Sequence, residues 1–100
     1  MSAMHLHELL QGELAVLPPF DPLLTGLTAD SNAVKPGDAF IALRGASTHG
    51  LRFVMQAEAA GAATTLFDPP APDALTLPAT VVAIDGLRGR LGRLADRFHG

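Results

Sequence analysis

The sequence predicts an α/β fold, a small mixed sheet with helices packed on it. Three short apolar runs, AFIALR at 39–44, ATTLF at 63–67 and TVVAI at 80–84, have the near-continuous hydrophobicity of strands covered on both faces. Apolar residues at helical spacing follow the first run, at 53–60, and the last, at 87–98. Gly and Pro punctuate the boundaries, so strands and helices alternate as they do when helices connect the strands of a sheet.

In chain order, MHLHELL at 4–10 places Leu6, Leu9 and Leu10 on one side of a short helix, with Ser2 as a candidate cap. A helix this short needs docking to persist. Pro18, Pro19 and Pro22 then impose an extended or turning path. LTGLTADS at 24–31 alternates as a strand ending near Asp30. Lys35-Pro36-Gly37-Asp38 is a turn, with Pro preset for its second position and Gly free to take positive φ at its third. After the strand at 39–44 comes the small-residue loop Gly45-Ala46-Ser47-Thr48-His49-Gly50. The next helix sets Phe53, Val54, Ala57 and Ala60 on one face and stops at Gly61. A strand at 63–67, a Pro-rich surface loop at 68–78, a strand at 80–84 and an Asp85-Gly86 turn lead to the last helix. There Leu87, Leu91, Leu94 and Phe98 form the apolar stripe, with Arg88, Arg90, Arg93 and Arg97 on the other faces.

Composition narrows the chemistry. One hundred residues suit a single domain. Net charge is −3, which opposes a nucleic-acid module, since such a module carries a basic stripe. Without cysteine there is no disulfide, thiolate metal site or thiol nucleophile, a composition compatible with a reducing cytoplasm. No apolar run is long enough to span a membrane, and the first residues lack the basic start of a signal peptide. All five aromatics are Phe, so stacking platforms are few.

The loop at 45–50 follows a strand and precedes a helix, where α/β sheets take ligands. Its glycines let backbone approach a ligand, and Ser47 and Thr48 add hydroxyls. It reads either as an anion or phosphate site needing no Lys or Arg, or as a tight connection with Thr48 capping the helix. Asp30-Ser31 at a strand end reads either as a ligand contact or as an Asx or ST turn. No G-x-x-x-x-G-K-[ST] or G-x-G-x-x-G occurs. His5, His7, His49 and His99 do not have the spacing of a metal site, and His49 has no partner at catalytic spacing. The arginines of the last helix read as a solvated face or a docking face for a further domain, with an acidic partner as the alternative.

The stretch LTGLTADSNAVKPGDAFIALRGASTHGLRFVMQAEAAGAATTLF carries an ordered set of motifs: Asp30-Ser31-Asn32, Pro36-Gly37-Asp38-Ala39-Phe40-Ile41-Ala42, Gly45, His49-Gly50 and the helix end at Ala57 to Ala62. Together with TVVAIDGLRGRLGRLADRFHG, it resembles the N-terminal domain of the Mur ligases, which build the peptide stem of bacterial peptidoglycan. The resemblance covers 24–100, and the leucine-rich start fits it too. It implies a small Rossmann-like domain that binds the UDP part of a nucleotide substrate. Ala29, Ser31, Ala46, Ser47 and Thr48 match the contacting positions, and His49 is a further candidate. Asn32 replaces the usual Arg, and His49 stands where Asp is common.

Within the family, the start and Leu27-Thr28-Ala29-Asp30-Ser31 look most like the MurE type, which adds the third stem residue, usually meso-diaminopimelate or lysine, to UDP-N-acetylmuramoyl-L-alanyl-D-glutamate. The MurF type, which adds D-alanyl-D-alanine, is the nearest competitor, and a free-standing interaction module is the rival from another class. The family's phosphate loop, magnesium ligands and modified lysine have no counterpart in these residues. The expectation is therefore an N-terminal substrate-binding domain over 1–100, with no catalytic residue, metal or cofactor of its own. ATP and Mg²⁺ would serve the full-length cytoplasmic enzyme, whose central and C-terminal domains would be this domain's partners. No nucleic acid or membrane partner is expected.

Overall fold

The computed structural model describes residues 3–100. Its elements are β1 (Met4–His5), α1 (Leu6–Leu10), β2 (Leu23–Leu24), β3 (Gly26–Thr28), β4 (Asp38–Ala42), a 3₁₀ turn (Gly50–Phe53), α2 (Val54–Ala59), β5 (Thr64–Phe67), β6 (Val81–Ala83) and α3 (Leu87–His99). β3, β4, β5 and β6 lie side by side in that order, all parallel. The α/β fold is the expected one, but parallel and antiparallel pairing are divided between two sheets. The only antiparallel strand pair among the described residues, β1 with β2, forms a separate ribbon.

Alternation along β4 explains the layers. Ala39 and Ile41 face one core with Leu66, Val82, Leu6, Leu9, Leu10, Leu87, Leu94 and Phe98, beneath α1 and α3. Phe40 and Ala42 face the other with Val54, Ala57, Leu51 and Phe67, beneath α2. Every residue of β4 is buried, which is why its sequence shows no polar alternation.

Local signals place most boundaries. In the turn at 35–38, Asp38 N donates to Lys35 O at 3.0 Å and Gly37 has φ +90°. Gly61 ends α2 with φ +104°, and a Cβ there would come within 2.8 Å of Pro36 Cα. The N-terminal helix is shorter than 4–10 because Met4 and His5 pair with β2 instead. Its first turn is served from a distance: Asp21 Oδ1 accepts from His7 N at 2.8 Å. The candidate cap Ser2 lies outside the described residues.

The arginine face of α3 is the main correction. It is not simply solvated. Arg90, Arg93 and Arg97 converge on Glu13, whose side chain is only 3% exposed. Arg93 grips both carboxylate oxygens, at 2.7 and 2.9 Å. Arg97 also donates to the carbonyls of Leu9 and Gln11, tying the end of α1 to α3. The Arg93 hydrogen bond, followed by those from Arg90 and Arg97, holds the Glu13 carboxyl down at about 2 against the opposing effect of burial.

Candidate functional site

The carboxyl ends of the parallel strands carry the site. β3 ends at Thr28, and a bend and a turn follow it at 29–32. Asp30 closes that turn: its Oδ1 accepts from Asn32 N at 2.9 Å and its carbonyl from Ala33 N at 2.9 Å. This is the Asx turn, and it leaves Ser31 half-buried with its hydroxyl free of any hydrogen bond among the described residues. Asn32, where the family usually has Arg, accepts from Gln56 Nε2 at 2.7 Å and so links the turn to α2.

Residues 43–50 form a small hairpin rather than an open helix entrance. Gly45 N donates to Thr48 O and Gly50 N to Leu43 O, both at 2.8 Å, framing the antiparallel pair Arg44 and His49. Ala46 and Ser47 are its tip. The backbone N–H groups of Ala46, Ser47 and Thr48 have no acceptor among the described residues.

His49 serves the fold. It is 6% exposed, with Nδ1 accepting from Leu51 N at 3.0 Å and Nε2 facing Asp68 O at 2.6 Å. Because an amide can only donate, the ring proton sits on Nε2 and is given to Asp68. His49 thus caps the 3₁₀ turn, a role Thr48 does not take and one that an Asp at this position would share through its carboxylate. Both ring nitrogens are committed, which leaves no ring nitrogen of this candidate to bind a ligand.

Two cavities flank the hairpin. One, of about 350 Å³, brings Ala29 and Ser31 together with Thr48, between walls of Ile41, Leu43 and Phe53. The other, of about 460 Å³, is lined by Arg44, Ala46, Ser47 and Thr48 together with Pro70 to Asp73. Thr48 borders both. The five candidate contacts are thus divided between two cavities that share Thr48, and both volumes fall in the range of small-molecule sites, roughly 300–1,000 Å³.

Phe53 was expected on the buried helix face. It is 43% exposed, because the first turn is 3₁₀ and α2 proper begins only at Val54, so the ring swings to the cavity wall. Phe53 and Arg44 are among the lining residues that the sequence reading missed. An Arg ending an apolar strand beside a Gly-rich loop was the available signal for Arg44. Among the described residues no three His, Asp or Glu side chains gather to hold a metal ion, and no helix is long and apolar enough to cross a membrane.

The profile described as Mur ligase family, catalytic domain, matches residues 23–99. The chain belongs to the Mur ligase family. It is 55% identical over 82 residues to the UDP-N-acetylmuramoyl-L-alanyl-D-glutamate--2,6-diaminopimelate ligase of Xanthomonas oryzae pv. oryzae (strain MAFF 311018), covering 82% of this chain and 17% of that protein. It is 45% identical over 103 residues to the protein of the same name from Streptomyces avermitilis, covering 100% of this chain and 20% of that one. Among solved structures, MurF from Acinetobacter baumannii superposes with a TM-score of 0.64 at 23% identity, covering 97% of this chain and 21% of that one. The chain spans about a fifth or less of the length of these curated relatives.

Proposed function

We propose that this domain holds the UDP moiety of UDP-N-acetylmuramoyl-L-alanyl-D-glutamate within an ATP-dependent ligase that adds meso-diaminopimelate to the peptidoglycan stem. The observation that carries the reading is the rim formed by Ala29, Ser31 and Thr48 at the carboxyl ends of parallel strands, continued by the unpaired amides of the hairpin tip. Ligands of open parallel sheets bind at that edge. The uridine fits the 350 Å³ cavity, against Ile41, Leu43 and Phe53, with Ser31 and Thr48 supplying hydroxyls. The phosphates then run across the tip, where the amides of Ala46, Ser47 and Thr48 are without an acceptor among the described residues.

The third-residue assignment follows the names of relatives at 45–56% identity over most of the chain, all diaminopimelate ligases. The MurF structures, at 22–23% identity, speak for the fold alone. In this reading the domain contributes binding energy and orientation remote from the reacting carboxylate.

A ¹⁵N NMR titration with the complete nucleotide substrate, UDP and AMP tests the reading. Shifts clustering at 29–31 and 45–50 with both uridine ligands, and not with AMP, are expected. Absence of any shift at millimolar UDP would reject the assignment.

A further inference from the structure

Beside the hairpin tip lies a cation that the motifs did not point to. Arg44 and His49 are directly opposed on the hairpin, so their side chains leave the same face. His49 goes inward to Asp68, and Arg44 lies outside it on the wall of the 460 Å³ cavity, beside Ala46, Ser47 and Thr48. The Arg44 guanidinium has no hydrogen bond or ion pair among the described residues, although Asp73 lines the same cavity. The three arginines of the Glu13 cluster are by contrast fully engaged.

The backbone beneath Arg44 is braced. Arg88, in the first turn of α3, donates from Nη2 to Arg44 O at 2.9 Å. This bond fixes the base of the hairpin to the helix and places a second cation, without a carboxylate partner, at that base. Arg44 thus stands beside three amides that have no acceptor among the described residues, in a chain of net charge −3. An anion there meets fixed donors rather than reorganised water.

We propose that Arg44 is a phosphate-contacting residue of the nucleotide site, held in place by Arg88. The inference depends on the UDP reading above and adds to it the residue that recognises the diphosphate charge. The uridine needs no cation, so the contribution of Arg44 belongs to the phosphates alone.

The test is the affinity of wild type and Arg44→Gln for UDP and for uridine, measured by NMR titration. Arg44→Gln should bind UDP about five- to tenfold more weakly, as expected for loss of one charge-assisted contact. Uridine affinity should be unchanged, and the UDP affinity of the variant should depend less on salt than that of wild type. An equal loss for uridine and UDP would make Arg44 merely structural and overturn the proposal. So would unchanged UDP binding with the wild-type salt dependence, which leaves the UDP reading intact. Wild type failing to bind UDP at all would overturn both.

Discussion

Replacing Glu13 by Gln removes one negative charge from beneath three arginines while keeping the side chain's shape. The carboxyl titrates at about 2 rather than the ordinary 4.5. That displacement corresponds to at most about 3 kcal/mol of charge-specific stabilisation. The carboxylate itself is hidden, but the groups that hide it are open to water: Arg93 is 58% exposed, Arg90 33% and Arg97 28%. Screening through those side chains reduces the figure to about 1–2 kcal/mol. A protein of this size then melts roughly 5–10 °C lower. Because the folded carboxyl is the stronger acid, its contribution is present in full above 4.5 and is lost as pH falls through about 2. Only roughly two-fifths of it survives at pH 3. Urea unfolding followed by circular dichroism suits a chain without Trp or Tyr. The gap between wild type and Glu13→Gln should be constant from pH 7 to 5.5 and shrink to less than half by pH 3. A gap that stays constant down to pH 3, or one below about 0.5 kcal/mol at pH 7, would refute the clamp.

Three further outcomes follow from the same geometry. His49→Ala leaves Leu51 N–H and Asp68 C=O without partners and should cost about 1–3 kcal/mol in urea unfolding, whereas His49→Asn, which can still cap Leu51, should cost less. Gly61→Ala forces a Cβ into Pro36 at φ +104° and should cost about 2–3 kcal/mol, read as a lower melting temperature; an unchanged value would mean the turn relaxes freely. Thr48→Phe fills the edge shared by both cavities from an exposed position, so stability should stay within about 0.5 kcal/mol while UDP shifts disappear from the NMR titration.

Much of this molecule is local, and local features were legible in the residues. The buried run AFIALR became the central strand because apolar side chains on both faces require cover from both sides. Pro36-Gly37 and Gly61 marked a turn and a helix end because few other residues accept those backbone angles. The α3 stripe of Leu87, Leu94 and Phe98 found the core that its spacing demanded. Elements whose character depends on a distant partner were read less well. Met4 and His5 became a strand only because Leu23 and Leu24 lay alongside them. Phe53 left its expected face because the helix began with a 3₁₀ turn capped by His49.

At the rim, Ala29, Ser31 and Thr48 could be named from motif order, but their meeting around one cavity depends on the parallel register of β3 with β4. The same distinction separates the two arginine stories. Spacing put Arg90, Arg93 and Arg97 along one helix, yet only packing brought Glu13, some eighty residues earlier, beneath them. Arg44 likewise acquired its place beside the hairpin tip from a cross-strand pairing and from Arg88 on another element. Periodicity and turn chemistry are properties of neighbours in the chain, so the sequence by itself determined the strands, the turns and the apolar faces. Burial of a charge and convergence of side chains are properties of neighbours in space, and those only the tertiary structure decided.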